Sequence, residues 1–207
     1  MSTEPEKEAM PEEKPMTDSQ ASTKAKPKKD AKKEIVSWIL TIDTAVAAAF
    51  LIRTFLFEPI RVDGESMTDT LLDKELVFVT KPEYYLGSPS RQDVIICKYP
   101  GRHNQYFVKR LIALPGDTVE IKYDRQKGTN TVFVNGEALD EPYLTPERNN
   151  SNNSMQPLTL GQDQYFVMGD NRDNSNDSRY VGTLHRSQIV GHVRFVFFPF
   201  SDVRSVL

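Results

Sequence analysis

The sequence predicts a mainly β fold that is preceded by one N-terminal transmembrane helix. Residues 35–57 form a single run in which 17 of 23 residues are apolar, which is about the length that crosses a bilayer. After this run, short stretches of alternating or β-branched residues are separated by turn signals such as Asn135-Gly136. No long helical period follows Phe57, which excludes a βαβ sheet and favours antiparallel strands.

Residues 1–33 are predicted to be a disordered tail. They contain no Ile, Leu, Val, Phe, Tyr or Trp, so no burial of apolar surface could offset the entropy cost of ordering them. Six lysines lie between residues 24 and 33, directly before the apolar run. Because lysines beside a transmembrane helix stay on the cytoplasmic side, we expect a cytoplasmic tail and an extracytoplasmic location for residues 58–207.

The transmembrane helix is predicted over residues 34–57. Asp43, near its middle, would cost about 2.5–3.5 kcal/mol at the centre of a bilayer, whereas Arg53 near the outer end can extend to the interface. The alternative is an amphipathic helix that packs on the following domain. A cleavable signal peptide is disfavoured, because the charged leader is long and no small-x-small motif follows the run.

The strands are predicted from period-two alternation and from β-branched residues. They are residues 76–80, 94–98, 107–114, 118–122, 131–134, 165–168 and 190–198. Asn135-Gly136 favours a hairpin with a type I′ turn, because both central positions of that turn need a positive φ. Residues 145–157 are polar, and their few apolar residues follow neither a helical nor a strand spacing, which predicts a mobile loop.

Composition excludes several classes of protein. The single cysteine, Cys97, excludes an internal disulfide framework and a CxxC metal site. Three histidines, His103, His185 and His192, are too few for a histidine-rich metal centre. A net charge of −3 argues against a general nucleic-acid binder.

Two segments carry residues that could act together in acyl transfer. Residues 63–71 (DGESMTDTL) place Ser66 in a glycine-containing turn, which suits either a turn serine or a nucleophile. Lys109 and Arg110 are adjacent on an apolar strand, so alternation directs one of them toward the buried side. A buried lysine loses its charge and can act as a base, whereas an edge strand would carry both as a surface pair.

A third segment, residues 169–179 (GDNRDNSNDSR), directly follows the apolar stretch YFVM. Its composition suits an exposed loop rich in Asp and Asn. Since the preceding strand anchors it, the segment could also orient other groups through its polar side chains.

Taken in order, these segments resemble the bacterial type I signal peptidases. The resemblance rests on SMxxTL at residues 66–71, VKRxIxLPGD at residues 108–117 and GDNRxNSxDSR at residues 169–179. It covers about residues 35–200, and the single span resembles the Gram-positive enzymes. A lysine base, rather than a histidine, resembles the bacterial and organellar branch of the family.

The resemblance implies a role for each site residue. Ser66 would be the nucleophile and Lys109 the general base, and Gly64 would add a backbone N–H to the oxyanion hole beside that of Ser66. Ser175 would hydrogen-bond the lysine and orient it. The remaining residues of the third segment that match the family would support the site through an ion pair or other structural roles, and they are Asp170, Arg172, Asp177 and Arg179. The implied pocket for small substrate side chains is lined by Ile60, Val62, Met67, Leu71, Phe107 and Val108.

The implied activity is that of a membrane-anchored serine endopeptidase. It would remove N-terminal signal peptides from secreted preproteins at small-x-small sites, without a metal or organic cofactor. Its partners would be these signal peptides and the lipid bilayer, close to the secretion translocon, with no role for nucleic acid. Convergence of the three segments and the resemblance together predict a catalytic β domain, residues 58–118 and 164–207, with residues 119–163 as a small inserted β cap.

The chain departs from the family pattern at three places. Asp69 stands where a proline is usual and adds a carboxylate near the nucleophile. Residues 182–185 (GTLH) replace a usual Gly-x-Val-Pro run, and Cys97 replaces a plain aliphatic residue.

Three other functions are alternatives to this one. The first is a Ser–His–Asp hydrolase that uses Ser66 with His185 or His192, although neither histidine lies in a motif. The second is a membrane-anchored β domain that only binds, but its signature would be loss of Ser66 or Lys109, and both are present. The third is another Ser–Lys protease, such as a self-cleaving repressor. Such repressors are soluble and bind DNA, so the apolar span and the net charge of −3 disfavour this function.

Overall fold

The computed structural model describes residues 31–55, 57–81, 87–99 and 105–206 of the 207-residue chain. The predicted tail lies outside the described residues, except that Ala31 already begins the first helix. His103 also lies outside them. Contacts divide the chain into a unit that ends at Asp43 and a second unit, Thr44–Leu207, that holds all the strands.

Helix α1 spans Ala31–Phe55. Its segment Lys32–Leu51 has 20 residues with a mean hydropathy of 1.6, and its side chains are exposed rather than packed against protein. An apolar helix with exposed side chains is typical of a membrane span. Among the described residues this is the one helix that is long and apolar enough to cross a membrane.

The rest of the chain is mainly β and antiparallel, which confirms the predicted fold class. The strands are β1 (Phe57–Arg61), β2 (Leu76–Thr80), β3 (Val94–Cys97), β4 (Phe107–Ala113), β5 (Thr118–Asp124), β6 (Thr129–Val134), β7 (Glu137–Ala138), β8 (Met155–Thr159), β9 (Gln164–Met168), β10 (Leu184–His185), β11 (Ile189–Phe198) and β12 (Arg204–Ser205). All seven strands predicted from alternation are present.

The strands form two sheets. The larger has the order β1-β2-β11-β3-β4-β9-β10, with β12 added beside β11, and the smaller has the order β7-β6-β5-β8. Strand β4 is therefore an inner strand, between β3 and β9. Apart from Thr118, the smaller sheet falls within the segment predicted as an inserted cap, residues 119–163, and the domain boundaries stay a prediction.

Three buried clusters surround β4 and hold the sheets together. Val108 belongs to one cluster, Leu111 to a second, and Ile112 to a third that also contains Val119 and Phe166. The third cluster draws side chains from both sheets. Strand β4 is consequently enclosed on both faces, which decides the environment of every side chain it carries.

The hairpin prediction is confirmed and the loop prediction is wrong. Asn135 and Gly136 have φ values of 55° and 85°, as a type I′ turn requires, and they connect β6 to β7. Residues 145–157, in contrast, contain a 3-10 turn at Pro146–Arg148 and the start of strand β8. Polar composition concealed this order, because the segment is held by hydrogen bonds rather than by burial of apolar side chains.

Candidate active site

The candidate nucleophile lies in a tight turn between β1 and β2. Within this turn the amides of Thr70 and Leu71 both donate to the Met67 carbonyl, at 3.0 and 2.8 Å. Three residues between β1 and β2 have a positive φ, Gly64 at 101°, Asp69 at 85° and Lys74 at 70°. Proline fixes φ near −65°, so the usual family residue could not adopt the conformation that Asp69 has here.

Lys109 lies on β4 with its amine directed at the turn. Its Nζ donates to Ser66 Oγ at 2.6 Å and to the carbonyl of Val108 at 2.9 Å. The side chain is 2% exposed, because β4 is an inner strand with packed residues on both faces. The structure thus brings Ser66 and Lys109 together although 43 residues separate them in the chain.

Burial away from water lowers the pKa of the Lys109 amine. The neighbouring Cys97 does not oppose this effect near neutral pH, because burial raises the pKa of its thiol to about 12 and the thiol stays uncharged. The carboxylates of Asp177 and Asp170 oppose burial and Arg179 acts with it, but burial is the largest effect and the pKa of Lys109 is lowered. A larger neutral fraction of the amine makes it a better proton acceptor at a given pH.

Arg110 is buried as well, at 1% exposure, so alternation along β4 does not send one of the two cations to solvent. Its Nε and Nη2 donate to Asp170 at 2.9 and 2.7 Å, a bidentate ion pair. Thr70 Oγ1 donates to the same carboxylate at 2.5 Å. Asp170 therefore connects the base strand to the nucleophile turn, and Arg110 and Thr70 are site residues that sequence reasoning missed.

The loop after β9, residues 169–179, contacts the nucleophile turn. Asp177 accepts from Arg179 Nε and Nη2, both at 2.8 Å, and from the Gly169 amide at 3.0 Å. A Cβ on Gly169 would lie 2.3 Å from the Ser66 carbonyl oxygen and 2.4 Å from Ser175 Oγ. Glycine is required at this position because the loop and the nucleophile turn are in van der Waals contact there.

Two predicted supporting residues, Ser175 and Gly64, do not make the contacts that the resemblance implies. Ser175 Oγ is buried and has no hydrogen-bond partner among the described residues, so the bond to Lys109 is not formed. The Gly64 N–H donates to Asp73 Oδ1 at 3.0 Å, and this bond holds the pKa of Asp73 below its usual value. Gly64 can serve as an oxyanion donor only when its N–H leaves Asp73, whereas the Ser66 N–H makes no hydrogen bond among the described residues.

Arg172 is paired with a residue from outside the three motifs. Its Nε donates to the Gly169 carbonyl at 3.1 Å, and its Nη atoms donate to the Glu141 carboxylate. Tyr143 donates its hydroxyl to Glu141 at 2.8 Å, and its ring lies 3.7 Å from the Arg110 guanidinium. No local sequence signal marks Glu141 or Tyr143 as site residues, because the site residues that they contact, Arg172 and Arg110, are distant in the chain.

The six predicted pocket residues are divided between two clusters. Five of them share the cluster that contains β2 and β11 side chains, and these are Ile60, Val62, Met67, Leu71 and Val108. Phe107 packs on the opposite face of β4, against Tyr99. Leu71 is 0% exposed, so it stands behind the surface that a substrate could touch.

The histidines contact other groups. His185 Nδ1 lies 2.9 Å from Ser187 Oγ, and His192 Nε2 lies 3.8 Å from an Asp93 oxygen. The side-chain partner of Ser66 is Lys109, which disfavours a Ser–His–Asp arrangement. No group of three or more His, Cys, Asp or Glu that could hold a metal ion is found within the described part of the chain.

Comparison with known proteins gives consistent matches. A family model described as "Signal peptidase, peptidase S26" matches residues 35–198. Signal peptidase I P of Bacillus subtilis subsp. natto is 44% identical, over 84% of this chain and 94% of that protein. Signal peptidase I S of Bacillus subtilis strain 168 is 41% identical and signal peptidase IB of Staphylococcus aureus strain COL is 36% identical, each with the same coverage of both chains. A signal peptidase I of Enterococcus faecalis with a crystal structure is 38% identical over 51% of this chain, with a TM-score of 0.41.

Proposed function

The chain belongs to the signal peptidase family, peptidase S26, and from this premise we propose that it removes signal peptides from secreted preproteins with a Ser66–Lys109 dyad. The observation that carries the mechanism is the 2.6 Å separation of Lys109 Nζ and Ser66 Oγ, with the lysine buried. Serine is a weak nucleophile unless a base accepts its proton, and a desolvated lysine can do so.

The proposed reaction has two acyl-transfer steps. Ser66 Oγ attacks the scissile carbonyl carbon while its proton moves to neutral Lys109. The resulting ammonium then protonates the departing amine, the C–N bond breaks, and the mature protein leaves an acyl ester on Ser66. Lys109, neutral again, accepts a proton from water, whose oxygen attacks the ester. The ester C–O bond then breaks, the Lys109 ammonium returns this proton to Ser66 Oγ, and the signal peptide is released as a carboxylic acid.

The oxyanion that forms in each step needs donors at fixed positions, and each such donor contributes a few kcal/mol. The Ser66 N–H is one candidate. The Gly64 N–H is the second, after it exchanges Asp73 for the substrate oxygen. Because Asp73 is exposed and the Gly64 turn is open on the side where a Cβ would lie, this exchange requires little rearrangement of the packed core.

The decisive experiment is cleavage of a purified preprotein by purified wild-type enzyme and by Ser66→Ala. We expect the wild type to release the signal peptide and the variant to release none above background, because no other side chain among the described residues is hydrogen-bonded to Lys109 Nζ. Circular dichroism and the melting temperature of the variant should match those of the wild type. Cleavage by Ser66→Ala at the wild-type rate would exclude the proposed nucleophile.

We further propose that α1 anchors the protein in the cell membrane as a single span, with a cytoplasmic N-terminus and an extracytoplasmic catalytic domain. The lysines of residues 24–33 and the exposed apolar helix support this orientation. Protease added to intact protoplasts should remove the β domain from the cells. A domain that is protected until the cells are lysed would contradict the orientation.

Specificity is proposed to follow from the apolar surface beside Ser66. Residues 60–64 include the end of β1, the terminal strand of the large sheet, and residues 107–109 of β4 precede Arg110, where the pairing of β4 with β9 begins. An extended substrate could therefore add beside these two stretches as a strand. Alternate residues of such a peptide face opposite sides. Positions −1 and −3 would then face Ile60, Val62 and Val108, while position −2 would face solvent and tolerate any residue.

We expect a peptide series with Ala, Val, Leu and Phe at position −1 to be cleaved in that order. A methyl group gains about 1 kcal/mol on burial, whereas a larger side chain would clash and displace the carbonyl, and a displacement of about 1 Å can cost a hundredfold in rate. The measurement is kcat/KM for each peptide. Efficient cleavage after Phe would reject the small pocket and leave the Ser66–Lys109 chemistry in place.

A further inference from the structure

One short segment contacts all three parts of the candidate site. We call residues 141–151 the strap. It lies between β7 and β8 and contains the 3-10 turn Pro146–Arg148. None of its residues belongs to the sequence motifs, and its polar composition gave no reason to expect an ordered segment.

The strap is joined first to the loop of residues 169–179. The amides of Asn150 and Ser151 donate to the two carboxylate oxygens of Asp173 at 2.9 and 3.0 Å. The Asp173 amide donates in turn to the Arg148 carbonyl at 3.2 Å. Glu141, at the other end of the strap, is paired with buried Arg172. The strap and this loop are thus held together at both ends.

The strap contacts the base strand through Tyr143. Its ring lies 3.7 Å from the guanidinium of Arg110, the neighbour of Lys109 on β4. This contact covers one side of the cation that also donates to Asp170 and to the Gln92 carbonyl.

The third contact reaches the nucleophile turn itself. Thr145 Oγ1 donates to Asp69 Oδ2 at 2.9 Å, and Arg148 Nε lies 3.6 Å from the same oxygen. The hydroxyl makes the shorter and directional contact. Both contacts are exposed, and an exposed ion pair at 3.6 Å contributes little, so the shorter hydrogen bond from Thr145 is the contact that can fix the position of Asp69.

The turn needs such a contact because part of its backbone is strained. Asp69 has a φ of 85°, a region that residues other than glycine seldom adopt. Asp170 and Asn171 hold the turn through Thr70 and the Ser66 carbonyl, and both lie in the loop after β9. Thr145 and Arg148 hold it through Asp69, from the strap.

We propose that the strap positions the Ser66 hydroxyl against Lys109, and that the Thr145–Asp69 hydrogen bond is the contact through which it does so. Thr145 is a positioning residue, because it bonds Asp69 rather than either member of the dyad. The inference deepens the proposed function and rests on it. It concerns the rate of the chemical step and not the binding of substrate.

The test compares Thr145→Val with Thr145→Ser in full-length enzyme, with a preprotein as substrate. Valine has the shape of threonine and no hydroxyl, so it removes the bond to Asp69 with little change in packing. We expect Thr145→Val to lower kcat about five- to tenfold, consistent with a displacement well under 1 Å, while KM changes less than twofold. Thr145→Ser keeps the donor and should restore at least half of the wild-type kcat.

The matched control is Thr159→Val. Thr159 lies at the end of β8, the strand that follows the strap, and its hydroxyl makes an exposed hydrogen bond to Thr118 Oγ1 at 2.8 Å. The same chemical change there should leave kcat unchanged. Asp69→Asn should also retain most of the activity, because the amide oxygen still accepts from Thr145 and asparagine tolerates a positive φ.

A wild-type kcat in Thr145→Val would overturn the strap inference, and so would an equal loss in Thr159→Val. An Asp69→Asn variant as slow as Thr145→Val would assign the effect to Arg148 and overturn the role of Thr145. Failure of the wild-type enzyme to cleave the preprotein would instead overturn the proposed function, so the two failures are distinguishable.

Discussion

Lys109→Met should reduce kcat/KM for preprotein cleavage by about a thousandfold or more, the upper part of the range for loss of a general base. Methionine approximates the length of the lysine side chain and cannot accept a proton. The variant should remain folded, because the replaced side chain lies among apolar residues such as Ile95 and Leu111. The measurement is initial cleavage rate at saturating and limiting substrate, together with the melting temperature.

Two further substitutions make this result specific. Lys109→Arg should be as inactive as Lys109→Met, because a guanidinium stays protonated. His185→Ala and His192→Ala should retain activity, since Ser66 is bonded to Lys109 rather than to either histidine. Full activity in Lys109→Met would falsify the dyad.

The pH dependence of the wild-type enzyme should follow the state of Lys109. Burial lowers the pKa of this amine, and only the neutral form is a base, so kcat/KM should rise with pH and level off below the pKa of a free lysine. Between the lowered pKa and that of a free lysine, the unfolded chain binds more protons than the folded one. Stability should therefore also rise with pH in that window, and Lys109→Met should lose this dependence.

Asp170→Ala should lower the free energy of unfolding by about 3–5 kcal/mol, the cost of leaving a buried charge without its partner. Arg110 and Asp170 are each about 1% exposed at the side chain, so water cannot replace the missing carboxylate. The same change releases Thr70 from the loop after β9, and activity should fall with stability. The measurement is denaturant unfolding of both proteins.

A surface pair provides the comparison. Glu120→Ala removes an ion pair with Lys122, whose side chain is 58% exposed, and should cost less than about 1 kcal/mol. The double variant Arg110→Met, Asp170→Ala should recover part of the loss, because no charge then remains unpaired. Equal stability of Asp170→Ala and Glu120→Ala would show that burial does not set the strength of the Arg110–Asp170 pair.

The strands that could be read from the sequence are those whose side chains alternate. Strands β2 and β6 show this directly, with every second residue buried, and the Asn135-Gly136 turn follows from its requirement for positive φ. Strands β1 and β8 were missed. Each contains a proline and polar residues, and each lies at one end of its sheet, where proline is tolerated and alternation is weak.

Residue type and local spacing were enough to predict the fold class, the apolar N-terminal helix and the three segments that carry Ser66, Lys109 and the loop after β9. The three-dimensional arrangement was needed to show that Lys109 and Arg110 are both buried and that the Gly64 amide donates to Asp73. It was also needed to show that Glu141, Tyr143 and Thr145 contact residues of the site. Which elements pack together decides whether a strand is buried on both faces and which distant segments form hydrogen bonds. The local alternation of apolar and polar residues does not indicate how the elements pack.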